Sequence, residues 1–101
     1  MTRRQVRVSA DAEAQLRAIG TWWVENRPAT FDLFDREVHA AIAAIGSSPA
    51  TFPIYRHEAG AEVRRIILPK TRYAMYFAEE AGVVLIVAVW HGARGSGPPL
   101  P

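Results

Sequence analysis

The sequence contains no cysteine, which removes a disulfide framework, a thiolate zinc site and a cysteine nucleophile together. Histidine is scarce. His39, His57 and His91 stand far apart and form no metal-spaced pair, so neither a metal nor any other cofactor is expected. No glycine-rich phosphate cradle and no nucleophile elbow occurs. Long hydrophobic runs are missing too. The longest, residues 81–90, is about half of what a membrane-spanning helix requires. Met1-Thr2-Arg3-Arg4 opens onto no apolar signal core, so the expectation is a cytoplasmic protein with no membrane partner.

What is present suits one folded unit. The chain has 101 residues, 50% of them hydrophobic and 22% charged, enough for one core and too few for two. One domain over residues 1–94 and a Gly/Pro-rich tail over 95–101 are expected. A net charge of +2 is too small to argue for a nucleic-acid partner. Its distribution says more. Acids dominate residues 11–47, whereas residues 56–72 carry Arg56, Arg64, Arg65, Lys70 and Arg72 against Glu58 and Glu62.

The chain divides into two halves of different periodicity. Residues 4–8 alternate like a short strand, expected to pair antiparallel like the others. Ser9 can cap a helix over residues 10–26, with Ala12, Leu16, Ile19 and Trp23 on one apolar face and Trp22 at its edge. Asn26-Arg27-Pro28 stops that run, and Thr30 caps a second helix over 30–46. Its stripe is Phe34, Val38, Ala41, Ile42 and Ile45, and Gly46 with Ser47-Ser48-Pro49 supplies the stop. From Phe52, Pro53, Gly60 and scattered charges read as a loop. Residues 62–68, 72–79 and 83–91, rich in Val, Ile, Tyr and Phe, read as three antiparallel strands joined by short hairpins. The 83–89 run is apolar throughout, as in a central strand covered on both faces, with Ile86 and Val87 among the least exposed residues. The predicted class is α+β: an N-terminal strand, an antiparallel helical hairpin, then a three-strand meander in a small sheet with both helices on one face.

Two groups of residues carry candidate chemistry. Alternation along Val63-Arg64-Arg65-Ile66 and the following turn can aim Arg65 and Lys70 or Arg72 at one exposed surface able to hold phosphate bidentately. The same pattern also describes a solvated edge guarded against aggregation. Trp90-His91-Gly92-Ala93-Arg94 puts a histidine and an arginine at a strand end, where they suit a phosphate or a protein carboxylate, or a histidine that is simply a structural hydrogen-bonder. His39 reads as a partly buried helix residue and His57 as solvent-exposed. Trp23 reads as core, and Trp22 as a flanking or partner-facing residue.

The order of these pieces resembles the RelE/ParE superfamily of toxins from toxin–antitoxin pairs, ParE-like branch. The likeness rests on Ser9-Ala10-Asp11-Ala12-Glu13-Ala14-Gln15-Leu16, on Trp22-Trp23 with Asn26-Arg27-Pro28, on Ser48-Pro49, on Val63-Arg64-Arg65-Ile66 and on Ala88-Val89-Trp90-His91-Gly92-Ala93-Arg94. It spans nearly the whole chain. The resemblance implies a cognate antitoxin, a toxin–antitoxin hetero-oligomer, and one of two targets. RelE-like members are ribosome-dependent mRNA endoribonucleases, and here Arg64, Arg65, Arg72, His91 and Arg94 are the residues that would carry such cleavage. ParE-like members poison DNA gyrase, with no catalytic residue expected. Ile66 is apolar where the nuclease pattern has a lysine, Tyr73 falls where an arginine belongs, and no tyrosine follows Arg94. These departures favour gyrase. The corresponding contact set, for target or antitoxin, is Arg64, Arg65, Lys70, Arg72, Trp22, His91 and Arg94. A non-toxic scaffold or binding homologue is the third reading.

Overall fold

Ser9 marks the first change of direction. In the computed structural model, which describes residues 3–58 and 60–91, strand β1 (Gln5–Val8) ends there and helix α1 (Ala10–Asn26) begins. The Ser9 hydroxyl accepts from the Ala12 N–H at 3.1 Å, satisfying a donor the first turn leaves open. Asp11 and Glu13 sit where the helix dipole favours negative charge. Ala12, Leu16, Ile19 and Trp23 pack into the core, as their spacing predicts.

The second helix starts later than expected. Thr30 does not cap it: Pro28–Thr30 is a separate 3-10 turn, and α2 runs Leu33–Ser47 with Asp32 at its N-cap. Proline suits the first position of such a turn because its φ is preset and it has no N–H to satisfy. Asp32 directs its carboxylate at Arg36, 3.2 Å away, and makes no capping bond. Gly46 is no stop signal either; it lies inside the helix. Strand β1 passes so close that a Cβ there would meet Val6 Cγ2 at 3.3 Å and the Arg4 carbonyl oxygen at 3.4 Å. The Arg4 N–H donates to the Gly46 carbonyl across this gap at 2.9 Å. His39, expected to be partly buried, is exposed on α2, with Nδ1 3.7 Å from Asp35.

The sheet has five strands in the order β1-β5-β4-β3-β2, with β2 at Ile54–Glu58, β3 at Ala61–Ile67, β4 at Tyr73–Glu80 and β5 at Val83–His91. Two features correct the sequence reading. The segment taken as a loop contains β2, an edge strand antiparallel to β3 with an irregularity at Tyr55; its preceding proline and its charges belong to sheet edges as well as to loops. Strand β1 pairs parallel, not antiparallel, to β5, Gln5 opposite Val83 through Val8 opposite Ile86. A parallel neighbour requires a long crossover, and both helices lie within this one.

Both helices pack on one sheet face. Ile45, Met75, Phe77, Val84 and Ile86 are each 0% exposed in that layer, where burying a large apolar side chain contributes about 2 kcal/mol. On the other face Val63, Ala74, Tyr76 and Ala88 form a second cluster, flanked by Tyr55, Val87 and Trp90, to which no helix contributes. Strand β5 is therefore not covered on both sides: Leu85 is 38% exposed. Ile86 is fully buried as expected, but Val87 is only half-buried. Tyr76 pairs with Ala88 and Phe77 with Ile86, so Val87 is the extra residue of a bulge. That extra residue resets the alternation and lets Val84, Ile86 and Val89 share the helix-facing core.

Glu80 lies opposite Val83 in the β4–β5 hairpin, so Ala81 and Gly82 alone form its turn, at φ +52° and +79°. A two-residue turn with both φ positive prefers Asn-Gly. Ala81→Asn should therefore stabilise the fold by roughly 0.5–1 kcal/mol, read as a higher denaturation midpoint with unchanged slope.

Candidate functional site

The cations that the sequence groups together are separated by the strand pleat. Arg64 points to the helix side, where its guanidinium donates to the Phe52 carbonyl at 2.6 Å and to the Ala50 carbonyl at 3.3 Å. Its other nitrogen lies 2.9 Å from Glu62. It fastens the segment after α2 to β3 and is committed there. Arg65, one residue on, lies on the helix-free face with its guanidinium 5.2 Å from the centre of the Tyr55 ring. Arg56 approaches the same ring at 5.9 Å, and Tyr55 meets Tyr76 edge-on at 4.8 Å. Cation–π contact and aromatic packing cover the sheet face that no helix covers.

Lys70 and Arg72 lie instead on the turn between β3 and β4, so Arg65 does not share a surface with them. That turn is gripped by α2. Glu37, 9% exposed, accepts from the Lys70 N–H at 2.9 Å, from the Thr71 N–H at 3.0 Å and from the Thr71 hydroxyl at 2.8 Å. Burial alone pushes its carboxyl pKa up. The Thr71 N–H and hydroxyl, the Lys70 N–H and the Lys70 charge outweigh burial and hold it below the ordinary value. The sequence reading passed over Glu37, although its position announces it: three residues after Phe34 and four before Ala41, it lies on the buried stripe. An acid there needs partners.

His91 closes β5 opposite Tyr73, with the two rings edge to face at 4.9 Å. Together with Gln15, Ile19, Trp22 and Trp90 they line an open cleft of about 540 Å³ at this end of the sheet. Trp22 is 44% exposed and carries the Arg27 guanidinium 5.3 Å from its ring centre. Trp23 faces the core, where its indole N–H is buried without a partner among the described residues, a cost that packing must outweigh. Arg94 lies outside the described residues. Arg65 and His91 are far apart. Arg65 is opposite Tyr76 and His91 opposite Tyr73, which separates them by about 10 Å along β4 and by two strand spacings of about 4.8 Å across the sheet.

A second concavity, about 700 Å³, runs between α1 and α2. Val24 and Phe31, 57% and 56% exposed, line it with Leu16 and Ile42, and Arg17, Glu25, Asp32 and Asp35 rim it. The sequence reading missed this groove because it followed the buried stripes. The available signal was Val24 and Phe31, apolar residues that belong to neither stripe. No helix among the described residues is long and apolar enough to cross a membrane.

Because the folded Glu37 carboxyl is depressed, its stabilisation is complete above the unfolded value of about 4.3 and is lost as pH falls through the lower folded value. The melting temperature should hold above about pH 5 and fall below about pH 4. Glu37→Gln should cost about 1–3 kcal/mol at neutral pH, and the gap from wild type should narrow in acid. A gap independent of pH would count against the ionised clasp.

The family model for the ParE toxin of type II toxin–antitoxin systems, parDE, matches residues 6–95. No curated protein matches the chain.

Proposed function

Because the chain belongs to the ParE toxins of type II toxin–antitoxin systems, we propose that it inhibits growth by poisoning DNA gyrase and that its cognate antitoxin neutralises it. The observation that carries the choice of target is the dispersal of the cations. An RNA-cleaving site must neutralise a phosphate and move protons to and from its oxygens with groups that converge on one point. Arg64 is tied to two backbone carbonyls, Arg65 lies over Tyr55, and His91 stands against Tyr73. A gyrase poison needs only a complementary surface. The turn cations and the adjoining aromatic cleft supply one.

The groove between the helices suits the antitoxin. Its apolar floor fits one face of an amphipathic helix, and Glu25, Asp32 and Asp35 on its rim favour basic side chains there. Acidic antitoxin residues opposite the 64–72 segment have fewer cations to meet than the sequence suggests, since Arg64 is engaged internally.

Supercoiling and cleavage-complex assays run beside a ribosome-programmed mRNA cleavage assay decide the target. The expected result is accumulation of gyrase–DNA cleavage complexes, no cut in the A site, and relief of growth inhibition by the antitoxin. Arg65→Ala and Arg94→Ala should weaken poisoning most at low salt and less as salt screens the contact, and Tyr73→Phe should have little effect. Cutting of mRNA with gyrase untouched reverses the assignment, and His91→Ala and Arg94→Ala should then slow cleavage about 100-fold. Inactivity in both assays with antitoxin binding intact indicates a non-toxic scaffold.

A further inference from the structure

Arg72 holds a backbone conformation that arginine disfavours. Its φ is +66°, in the left-handed region where Cβ crowds the following carbonyl and glycine or asparagine is the usual occupant. The turn that demands this is firmly closed. The Leu68 N–H donates to the Tyr73 carbonyl at 2.8 Å and the Arg72 N–H to the Leu68 carbonyl at 3.1 Å, while Glu37 clasps Lys70 and Thr71 from α2. Nothing among the described residues accounts for an arginine here. The side chain is exposed, and among the described residues its guanidinium makes no hydrogen bond or ion pair. The other non-glycine residue with positive φ among the described residues, Ala81, presents only a methyl group.

A costly conformation held by surrounding structure and carrying an unused charged group points to a ligand. Lys70, also exposed, stands two residues away. Glu37, the acid beneath the turn, is buried and uses both carboxylate oxygens on the turn itself, so it fixes the backbone that carries both cations. The next residue, Tyr73, lines the aromatic cleft with Trp22, Trp90 and His91. The turn cations thus directly precede this cleft residue in the chain.

We propose that the 69–72 turn is a prebuilt phosphate contact: Arg72, with Lys70, binds the DNA backbone of the gyrase complex, and Glu37 is the positioning residue that fixes the turn. That the nucleic acid is gyrase-bound DNA rests on the functional reading above. The chemistry favours a nucleic acid over an acidic protein surface. A planar guanidinium grips phosphate oxygens in pairs, and the duplex offers closely spaced backbone charges to two cations set two residues apart.

The test exploits the strain. Arg72→Asn and Arg72→Gly introduce residues that accept the left-handed backbone, Arg72→Lys retains charge, and Ala81→Asn is the control at the other left-handed position. On the full chain, Arg72→Asn and Arg72→Gly should melt no lower than wild type yet need about tenfold more protein to trap the gyrase–DNA cleavage complex, with a salt dependence shallower by about one unit of slope. Arg72→Lys should fall between, and Ala81→Asn should poison like wild type. The antitoxin should neutralise every variant that retains activity. Glu37→Gln, assayed below its melting range, should lose poisoning with both cations intact.

Poisoning by Arg72→Asn at the wild-type concentration overturns the proposal. So does a variant that poisons but escapes the antitoxin, which assigns the turn to the antitoxin, and so does a lower melting point for Arg72→Asn, which makes the residue structural. If the wild type leaves gyrase untouched, the gyrase reading fails on its own. Binding to a short labelled DNA duplex then decides: loss in Arg72→Asn supports the phosphate contact, and equal binding or none overturns it.

Discussion

Two helices cannot cover both faces of a five-stranded sheet. Everything else in the molecule answers to that shortage. The apolar layer between the helices and one sheet face takes the largest fully buried side chains, among them Phe77, Ile45, Met75 and Ile86, and it holds the fold together through the area it removes from water. The opposite face has to cover itself. It does so with Tyr55 between two arginines, Tyr76 edge-on beneath it, and half-buried Val87 and Trp90. Arg65 is thus part of a surface-covering arrangement, which explains why a positive charge on a central strand need not imply a catalytic site.

The same shortage shapes the helix side. Helices α1 and α2 lean on the sheet more than on each other, and the short turn between them leaves the groove that exposes Val24 and Phe31. Exposed apolar side chains of that size, rimmed by polar residues, are a feature of partner-binding surfaces. A family of toxins held in check by antitoxins has an evident use for one. On the proposed reading the target meets the turn cations at one end of the sheet and the antitoxin meets the groove between the helices.

Legibility in the sequence tracked how local each determinant is. The stripes Ala12, Leu16, Ile19, Trp23 and Phe34, Val38, Ala41, Ile45 repeat within a few turns, so both helices could be read from spacing alone, and the same holds for β5. Strand β2 could not. Ile54–Glu58 is short, follows a proline and carries charges, and it becomes a strand only because β3 offers it an edge. The bulge at Val87 is equally nonlocal, since the strand opposite it decides which residue is left over. The parallel pairing of β1 depends on residues at the far end of the chain. In the candidate site, the basic segment was visible, but its division among three environments was not: the pleat sends Arg64 and Arg65 to opposite faces, and the hairpin carries Lys70 and Arg72 to a turn. Glu37 was legible in principle as an acid on an apolar stripe, whereas its partners came from a turn more than thirty residues away.

The placement of β5 has a consequence for synthesis. It lies between β1 and β4, so β1 has no strand partner until residues 83–91 have been made. Pairings between such distant segments form late, because the loop they close must first be ordered. On the ribosome the growing chain therefore has its helices and hairpins available before it has a complete sheet, and the finished surface appears only once β5 is free to insert. The sheet is thus completed by its last strand, and β1 joins it only once β5 lies between β1 and β4.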